Sequence, residues 1–250
     1  HETLLAYLVR RLLENGANTS FVNRIADQNL KIEDLIQSPF KDIQNIAARE
    51  GQVGLKHPAI PLPLNMYGNS RQNSKGFDLA NDATLAALNE TAQQLENKVW
   101  ESKALLAQSV DQVEVSPQAL LNPAIHADIV GYVQEATLEH VEVALNSAIQ
   151  AQQRWANTGK SQRAIALKKA ADVMESQMQE LMILLCREAG KTYANAIAEV
   201  REAVDFLRYY ATQIESFNPT TQMQPLGTVL CISPWNFPLA IFTGQIAAAL

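Results

Sequence analysis

A change of pattern near residue 227 is the feature that most constrains the fold of this 250-residue chain. Before it, long stretches carry apolar residues at helical spacing, whereas residues 227–233 form a short, β-branched-rich run that predicts a buried strand. Two prolines bound residues 234–238 and predict a sharp turn, and the apolar residues 239–250 predict a buried helix. Strand, turn and buried helix open a βαβ unit, so we predict an α/β fold.

Helices and one irregular connection make up the rest of the predicted fold. Helical spacing of apolar residues predicts helices over residues 3–15, 82–108, 137–154, 161–189 and 193–216. Residues 32–46 are predicted to be helical with an interruption at Pro39, and Thr137 and Ser161 are the predicted N-caps. Prolines and glycines between residues 51 and 81 break every regular period, so we expect an irregular connection that packs on its surroundings.

Composition excludes several classes of function. The formal net charge is -6 and Lys and Arg occur at most in pairs, so we expect no nucleic-acid surface in this chain. Cys186 and Cys231 supply neither a disulfide framework nor metal-ligand spacing, which favours a reducing cytoplasm and no metal site. No apolar run is long enough to span a bilayer. Because the chain begins without Met and stops inside an apolar stretch, we expect an internal piece of a longer protein.

One candidate site lies on the first predicted helix. Tyr7, Arg10, Arg11 and Glu14 follow one another at spacings of three and four residues, so they share a helix face. Two adjacent guanidinium groups can hold one carboxylate, and the Tyr ring can pack on an apolar ring of the same substrate. On spacing alone, a solvent-exposed charged face with a Glu14–Arg10 ion pair is the simpler interpretation.

The longer sequence around these four residues favours their interpretation as a binding site. Residues 4–24 closely resemble the last helix of the proline dehydrogenase family, whose fold is a distorted TIM barrel. The resemblance implies that Arg10 and Arg11 bind the carboxylate of proline and that Tyr7 packs beside the pyrrolidine ring. It also implies that three residues lie near the FAD cofactor: Arg11, Glu14 and Phe21. Anchoring the carboxylate would fix the proline ring over the flavin.

A second candidate site is the predicted turn at residues 234–238. Asn236 stands between two aromatic residues and two prolines, so its amide is a fixed donor that could stabilise an oxyanion. A rigid structural turn with a satisfied Asn remains an equal alternative on the residues alone.

Residues 225–238 resemble the first strand and turn of the cofactor domain in the aldehyde dehydrogenase family, and residues 188–191 and 198–211 fit the helices before it. The resemblance implies that Asn236 is catalytic and donates to the oxyanion of the thiohemiacetal. It implies an NAD groove lined by Ile232, Ser233, Pro234 and Trp235. It also implies that Phe237 lines the aldehyde tunnel and that Glu202 contacts the head group of glutamate semialdehyde.

The catalytic Cys, the general-base Glu and the ribose-binding Lys of that family are expected downstream of residue 250. Cys186 and Cys231 are therefore expected to be buried, unactivated thiols, and neither is predicted to be the nucleophile.

The two resemblances occur in one chain and in this order, and the chain thereby resembles the bifunctional proline utilization A family. This implies the end of a TIM-like barrel at residues 1–30, a connector at 31–115, and the amino-terminal helices and first strand of a Rossmann-like aldehyde dehydrogenase domain at 116–250. It implies FAD-dependent oxidation of proline to pyrroline-5-carboxylate and then NAD-dependent oxidation of glutamate semialdehyde to glutamate. This piece by itself is expected to be inactive.

The same resemblance implies a quinone electron acceptor, a homo-oligomer, and a cytoplasmic enzyme that associates peripherally with the inner membrane. Two other interpretations stay open on the sequence. One is a monofunctional aldehyde dehydrogenase with an amino-terminal extension, and the other is a non-catalytic helical interaction module.

Overall fold

The computed structural model describes residues 4–5, 7–11, 21–52, 54–57, 59–108, 115–217 and 224–250, with the side chains of residues 21–23 outside that description. The chain divides into two compact units, His1–Ile60 and Pro61–Leu250. The first unit contains helices, and the second contains helices and a small sheet. This mixture of helices and a small sheet confirms the predicted α/β class.

Short helices form the first unit. Residues 4, 5 and 7–11 are helical, and three further helices follow: α1 (Phe21–Ala26), α2 (Ile32–Leu35) and α3 (Pro39–Glu50). Pro39 is the first residue of α3, a position where its missing N–H costs no hydrogen bond, so the predicted interruption is confirmed. Gly51 ends α3 in the left-handed conformation at a φ of 87°. No described residue of this unit is buried.

The second unit begins with the predicted irregular stretch. A single 3-10 turn (Pro63–Asn65) interrupts it before α4 (Asp82–Gln94), where the Asn81 side chain accepts a hydrogen bond from the Ala83 amide at 2.9 Å. The predicted helix over residues 82–108 is too long. It ends at Gln94, and the chain continues into a strand because the backbone from Trp100 onward pairs with another strand.

That pairing produces a three-stranded sheet that the sequence did not predict. Its strands are β1 (Trp100–Lys103), β2 (Gln118–Leu121) and β3 (Ile129–Gln134), in the order β1-β3-β2. The central strand β3 is parallel to β1 and antiparallel to β2. Gly131 lies opposite Trp100, and a Cβ at Gly131 would lie only 2.4 Å from the Trp100 carbonyl oxygen. The close approach of β1 and β3 therefore requires glycine at this position.

Five further helices complete the described part of the unit. They are α5 (Leu138–Ala156), α6 (Lys160–Ser176), α7 (Met178–Ala189), α8 (Tyr193–Ser216) and α9 (Ala240–Ala249). Thr137 caps α5 as predicted, because its hydroxyl accepts from the His140 amide while its own amide donates to His140 Nδ1. The prediction of one helix over residues 161–189 capped by Ser161 is wrong. Gly159 precedes the first turn, and the helix breaks at Gln177.

Helix α8 is the centre of the core. Helices α6, α7 and α9 all pack against it. Its alanines at positions 196, 203 and 211 are fully buried, so neighbouring helices approach its backbone closely. Facing residues fill the remaining space, including Leu88 of α4 and Met182 of α7, both with no exposed surface.

The predicted buried strand at residues 227–233 is not formed. These residues have no sheet assignment, and Leu230 and Ile232 are 82% and 71% exposed. A strand needs a neighbour for its backbone hydrogen bonds, and none of the described strands pairs with this segment. The buried helix predicted after the turn is confirmed as α9, whose Ala240 and Ala247 are buried. Among the described residues, no helix has the length and apolar character needed to cross a membrane.

A polar cluster attaches the irregular stretch to α8. Asp205 accepts hydrogen bonds from the Ser74 amide at 3.0 Å, from the Ser74 hydroxyl at 2.7 Å and from Arg71 at 3.1 Å. The guanidinium of Arg201 donates to the same Ser74 hydroxyl at 3.2 Å. This network explains why residues without regular structure lie fixed on the helix, as expected for a packed connection.

Arg208 anchors the same stretch from the next turns of α8. Its side chain is 7% exposed and donates to both Glu175 oxygens at 3.1 Å. It also donates to the Asn73 carbonyl at 3.4 Å. Burial raises the pKa of Glu175, but the hydrogen bonds from Arg208 and from the Lys75 amide outweigh it, so its pKa lies below the ordinary value. The carboxylate is therefore stabilised in its charged form.

We expect Gly131→Ala to lower the free energy of unfolding of the chain by about 2 kcal/mol, because the added Cβ would collide with the Trp100 carbonyl. Urea unfolding followed by circular dichroism measures the change. Gly159→Ala is the matched control, since a Cβ at that position meets nothing within 4 Å. Equal stability of the two variants would contradict the close strand approach.

We expect acid to weaken the fold through Glu175. Its pKa is lowered in the folded chain, so its contribution is complete above the unfolded value of about 4.3 and is lost as the pH falls through the folded pKa. Between about pH 5 and about pH 3, the free energy of unfolding should therefore fall less for Glu175→Gln than for the parent chain. Unfolding free energies measured across that range test this, and parallel profiles would contradict it.

Candidate functional site

The predicted turn at residues 234–238 is formed. The Phe237 amide donates to the Pro234 carbonyl at 3.3 Å, which closes the turn around Trp235 and Asn236. Asn236 is exposed at the turn, Trp235 is 89% exposed and Phe237 is 42% exposed. The residues predicted to bind the oxyanion, to line the NAD groove and to line the aldehyde tunnel are thus neighbours in one largely exposed segment.

Lys191 lies beneath this turn. Its Nζ donates to the backbone carbonyl of Asn236 at 2.9 Å and lies 4.8 Å from the centroid of the Phe237 ring. The side chain is 12% exposed, and it extends from the chain just after Gly190 ends α7 at a φ of 64°. The sequence gives no sign of this contact, because it spans 45 residues.

Glu199 of α8 connects Lys191 to the helix that follows the turn. Its side chain is 1% exposed, and Oε2 lies 2.6 Å from Lys191 Nζ. The other oxygen, Oε1, accepts hydrogen bonds from the amides of Leu239 at 2.9 Å and Ala240 at 3.3 Å. These amides belong to the start of α9, where N–H groups have no partner within the helix and a negative charge is favourable.

The segment before the turn has no regular structure and is largely exposed. Gln245 of α9 donates to the Ile232 carbonyl at 2.9 Å, which holds the segment near the helix. Apolar side chains of this segment and of α9 line a shallow depression of about 490 Å³; they include Leu226, Val229, Leu230, Ile232 and Ala248. Of the four residues predicted for the NAD groove, Ile232 lines this depression, Ser233 is half-buried, and Pro234 and Trp235 are exposed.

Glu202 lies one helical turn after Glu199 on α8, and it is exposed where Glu199 is buried. Its predicted contact with a substrate head group remains a prediction.

Both cysteines are half-buried. Burial raises the pKa of the Cys186 thiol, which keeps it protonated and poorly nucleophilic. Cys231 lines the apolar depression described above. No three His, Cys, Asp or Glu side chains converge as metal ligands in the ranges that the structure covers.

The first-unit candidate residues partly come together. The Arg11 guanidinium lies over the Tyr7 ring, 5.1 Å from its centroid, and both residues are exposed, as is Arg10. A cation stacked on an aromatic face is held in orientation without losing its hydrogen-bond donors. Glu14 and the side chain of Phe21 lie outside the described residues.

Comparison with known proteins assigns a family. The sequence model of the aldehyde dehydrogenase family matches residues 110–250, more than half of the chain, and the chain belongs to that family. The model named proline dehydrogenase matches residues 1–24.

Individual relatives match along much more of the chain. It is 57% identical over all 250 residues to the bifunctional protein PutA of Escherichia coli strain K12, of which it covers 19%. A crystal structure of proline utilization A from Bdellovibrio bacteriovorus matches 97% of the chain and 25% of its own length, with a TM-score of 0.70 and 26% identity. The 1-pyrroline-5-carboxylate dehydrogenase of Thermus thermophilus matches 77% of the chain and 39% of its own length, with a TM-score of 0.63 and 27% identity. The chain thus spans about a fifth of the length of the curated relatives that match all of it.

Proposed function

We propose that this chain is a segment of a bifunctional oxidoreductase of proline catabolism. One activity oxidises proline to pyrroline-5-carboxylate with FAD, and the other oxidises glutamate semialdehyde to glutamate with NAD. The observation that carries the proposal is the order of the two family matches, residues 1–24 and 110–250, within one chain that is 57% identical along its whole length to a bifunctional relative. A monofunctional aldehyde dehydrogenase with an unrelated extension, or a helical module with chance motifs, leaves the first match unexplained.

Asn236 is the proposed oxyanion donor of the aldehyde-oxidising site. Its side chain is exposed while its backbone is held by Lys191. An exposed amide on a restrained backbone can donate to a developing negative charge without reorganising. In this proposal the nucleophilic thiol comes from outside the described residues. Burial raises the pKa of the Cys186 thiol, and Cys231 lines an apolar depression.

The residues around Asn236 fit the proposed ligands by their chemistry. Ile232 and Trp235 expose 71% and 89% of their surface, which suits packing against the flat rings of NAD, with Ser233 and Pro234 between them. When bound, NAD accepts the hydride from the substrate. Phe237 offers an apolar wall for the aldehyde, and the exposed carboxylate of Glu202 suits the ammonium group of glutamate semialdehyde.

The proline-oxidising site is proposed to use Arg10, Arg11 and Tyr7. Two exposed guanidinium groups next to each other can hold one carboxylate, and Tyr7 orients the Arg11 group by stacking at 5.1 Å. The Tyr7 ring is 53% exposed, which leaves it apolar surface for the pyrrolidine ring. FAD supplies the redox chemistry when bound, and Arg11, Glu14 and Phe21 are the residues proposed to lie near it.

We further propose the division into a barrel end at residues 1–30, a connector at 31–115 and the aldehyde dehydrogenase part at 116–250. The boundary between the compact units, at Ile60 and Pro61, falls inside the proposed connector, and hydrogen bonds from Ser74 to Asp205 and from Arg208 to Asn73 attach its second half to α8. The complete enzyme is proposed to be a cytoplasmic homo-oligomer that passes electrons to a quinone and docks peripherally on the inner membrane. A Rossmann-like sheet would then supply neighbours for residues 227–233.

Asn236→Ala tests the aldehyde-oxidising role in the full-length enzyme. We expect kcat for glutamate semialdehyde to fall by about 10²–10³-fold, because one oxyanion donor is lost. NAD affinity and the melting temperature should change little, and proline oxidation should be untouched because its residues belong to the other unit. A normal kcat removes Asn236 from the catalytic residues, and joint loss of stability and NAD binding makes it purely structural.

Arg10→Met and Arg11→Met test the proline-oxidising role. Each should weaken transition-state binding of proline by about 2–4 kcal/mol, because one half of a bidentate contact to the carboxylate is lost. Steady-state kinetics with proline and a quinone acceptor measure kcat/KM. Arg49→Met is the control, since Arg49 is an exposed arginine of α3 whose side chain is 73% exposed beside Glu50. Unchanged kcat/KM in both test variants restores the interpretation as a solvated charged face.

A further inference from the structure

We propose that Lys191 and Glu199 form a positioning pair that sets the orientation of the Asn236 amide. The inference rests on the proposed role of Asn236 and adds two residues to it that do not touch the substrate. Lys191 holds the backbone of Asn236 from below, and Glu199 holds both Lys191 and the first amides of α9.

Within the part of the chain that the structure describes, the turn's own contacts are weak. Its own closing hydrogen bond, from Phe237 to Pro234, is long at 3.3 Å, and Trp235 is 89% exposed and so gains little from packing. The contact from Lys191 to the Asn236 carbonyl, at 2.9 Å, is shorter and charge-assisted. It fixes the peptide plane of the residue whose side chain is proposed to donate, and the Phe237 ring rests 4.8 Å from the same ammonium group.

Glu199 fixes the other end of the turn. Oε1 accepts from the Leu239 and Ala240 amides while Oε2 lies 2.6 Å from Lys191 Nζ, so one carboxylate links the lysine that contacts Asn236 to the residues that follow the turn. A buried ion pair of this kind is weak evidence for stability, since desolvation offsets its attraction. Its better-supported use is to specify one arrangement over others. Here the arrangement specified is that of the turn.

The pair makes a distinct prediction from a purely stabilising role. If Lys191 acts through the Asn236 amide, its loss should matter only while that amide is present. Asn236→Ala keeps the backbone carbonyl that Lys191 contacts and removes only the donor. A double-mutant cycle in kcat therefore separates positioning from general support.

The experiment measures aldehyde oxidation by the full-length enzyme with Lys191→Met, Asn236→Ala and both together. We expect Lys191→Met alone to lower kcat by about 10- to 100-fold, as small displacements of a catalytic group do. In the Asn236→Ala background the same change should lower kcat by less than about twofold. Lys168→Met is the matched control, because Lys168 forms an exposed ion pair with Glu215 at 2.8 Å and should leave kcat unchanged.

The outcomes distinguish this inference from the proposed function. Near-normal kcat in Asn236→Ala overturns the proposed role of Asn236 and this inference with it, and leaves the proposed bifunctional activity standing on the two family matches. A lowered kcat in Asn236→Ala combined with an equal Lys191→Met effect in both backgrounds, or with no effect at all, overturns the positioning role alone. If Lys191→Met does not fold, Lys191→Arg takes its place in the same cycle, since it keeps the charge beside Glu199 and displaces the donor from the Asn236 carbonyl. The same non-additivity is then expected, and additivity overturns the role.

Discussion

Helix α8 buries two opposite charges, and the need to pair them organises the second unit. Glu199 and Arg208 are 1% and 6% exposed, and an unpaired charge at such depth would be very costly. They stand nine positions apart, which places them on opposite faces of a helix that advances about 100° per residue. Glu199 pairs with Lys191 and reaches α9, whereas Arg208 pairs with Glu175 and reaches Asn73. The turn and the irregular stretch are thus attached to opposite sides of one helix by the same requirement.

Local sequence patterns predicted the helices well, because helix formation depends on residues three and four apart. The predicted helix over residues 193–216 has the observed bounds of α8, and Thr137 caps α5 through groups only three residues away. The errors occurred where a distant partner decides. The strand β1 contains Glu101, Ser102 and Lys103, which give no strand signal, and it exists because β3 lies beside it. Conversely, the β-branched run at 227–233 stays unpaired among the described residues despite its strong pattern.

The candidate site likewise contains one feature that the sequence could predict and one that it could not. The turn around Asn236 could be predicted, since two prolines and two aromatic residues restrict five consecutive positions. Lys191 and Glu199 could not, because the contact from Lys191 to Asn236 spans 45 residues and the one from Glu199 to Ala240 spans 41. The sequence held one signal: a Glu at a position of α8 that otherwise carries buried apolar neighbours, Val200 and Ala196. A charge within an apolar helix face indicates a specific partner elsewhere in the chain.

The turn is held by contacts with the helical part of the unit, since the segment that precedes it forms no strand. Residues 226–233 make no sheet, yet Lys191, between α7 and α8, contacts the Asn236 carbonyl, and Glu199 of α8 accepts from the amides that begin α9. Gln245 of α9 in turn donates to the Ile232 carbonyl, so the segment before the turn is also held by a helix near its carboxyl end. A neighbouring strand added to this segment would meet a backbone that the helices have already oriented. The geometry of the candidate oxyanion site is therefore built into the helical layer, and strand pairing would extend it without having to create it.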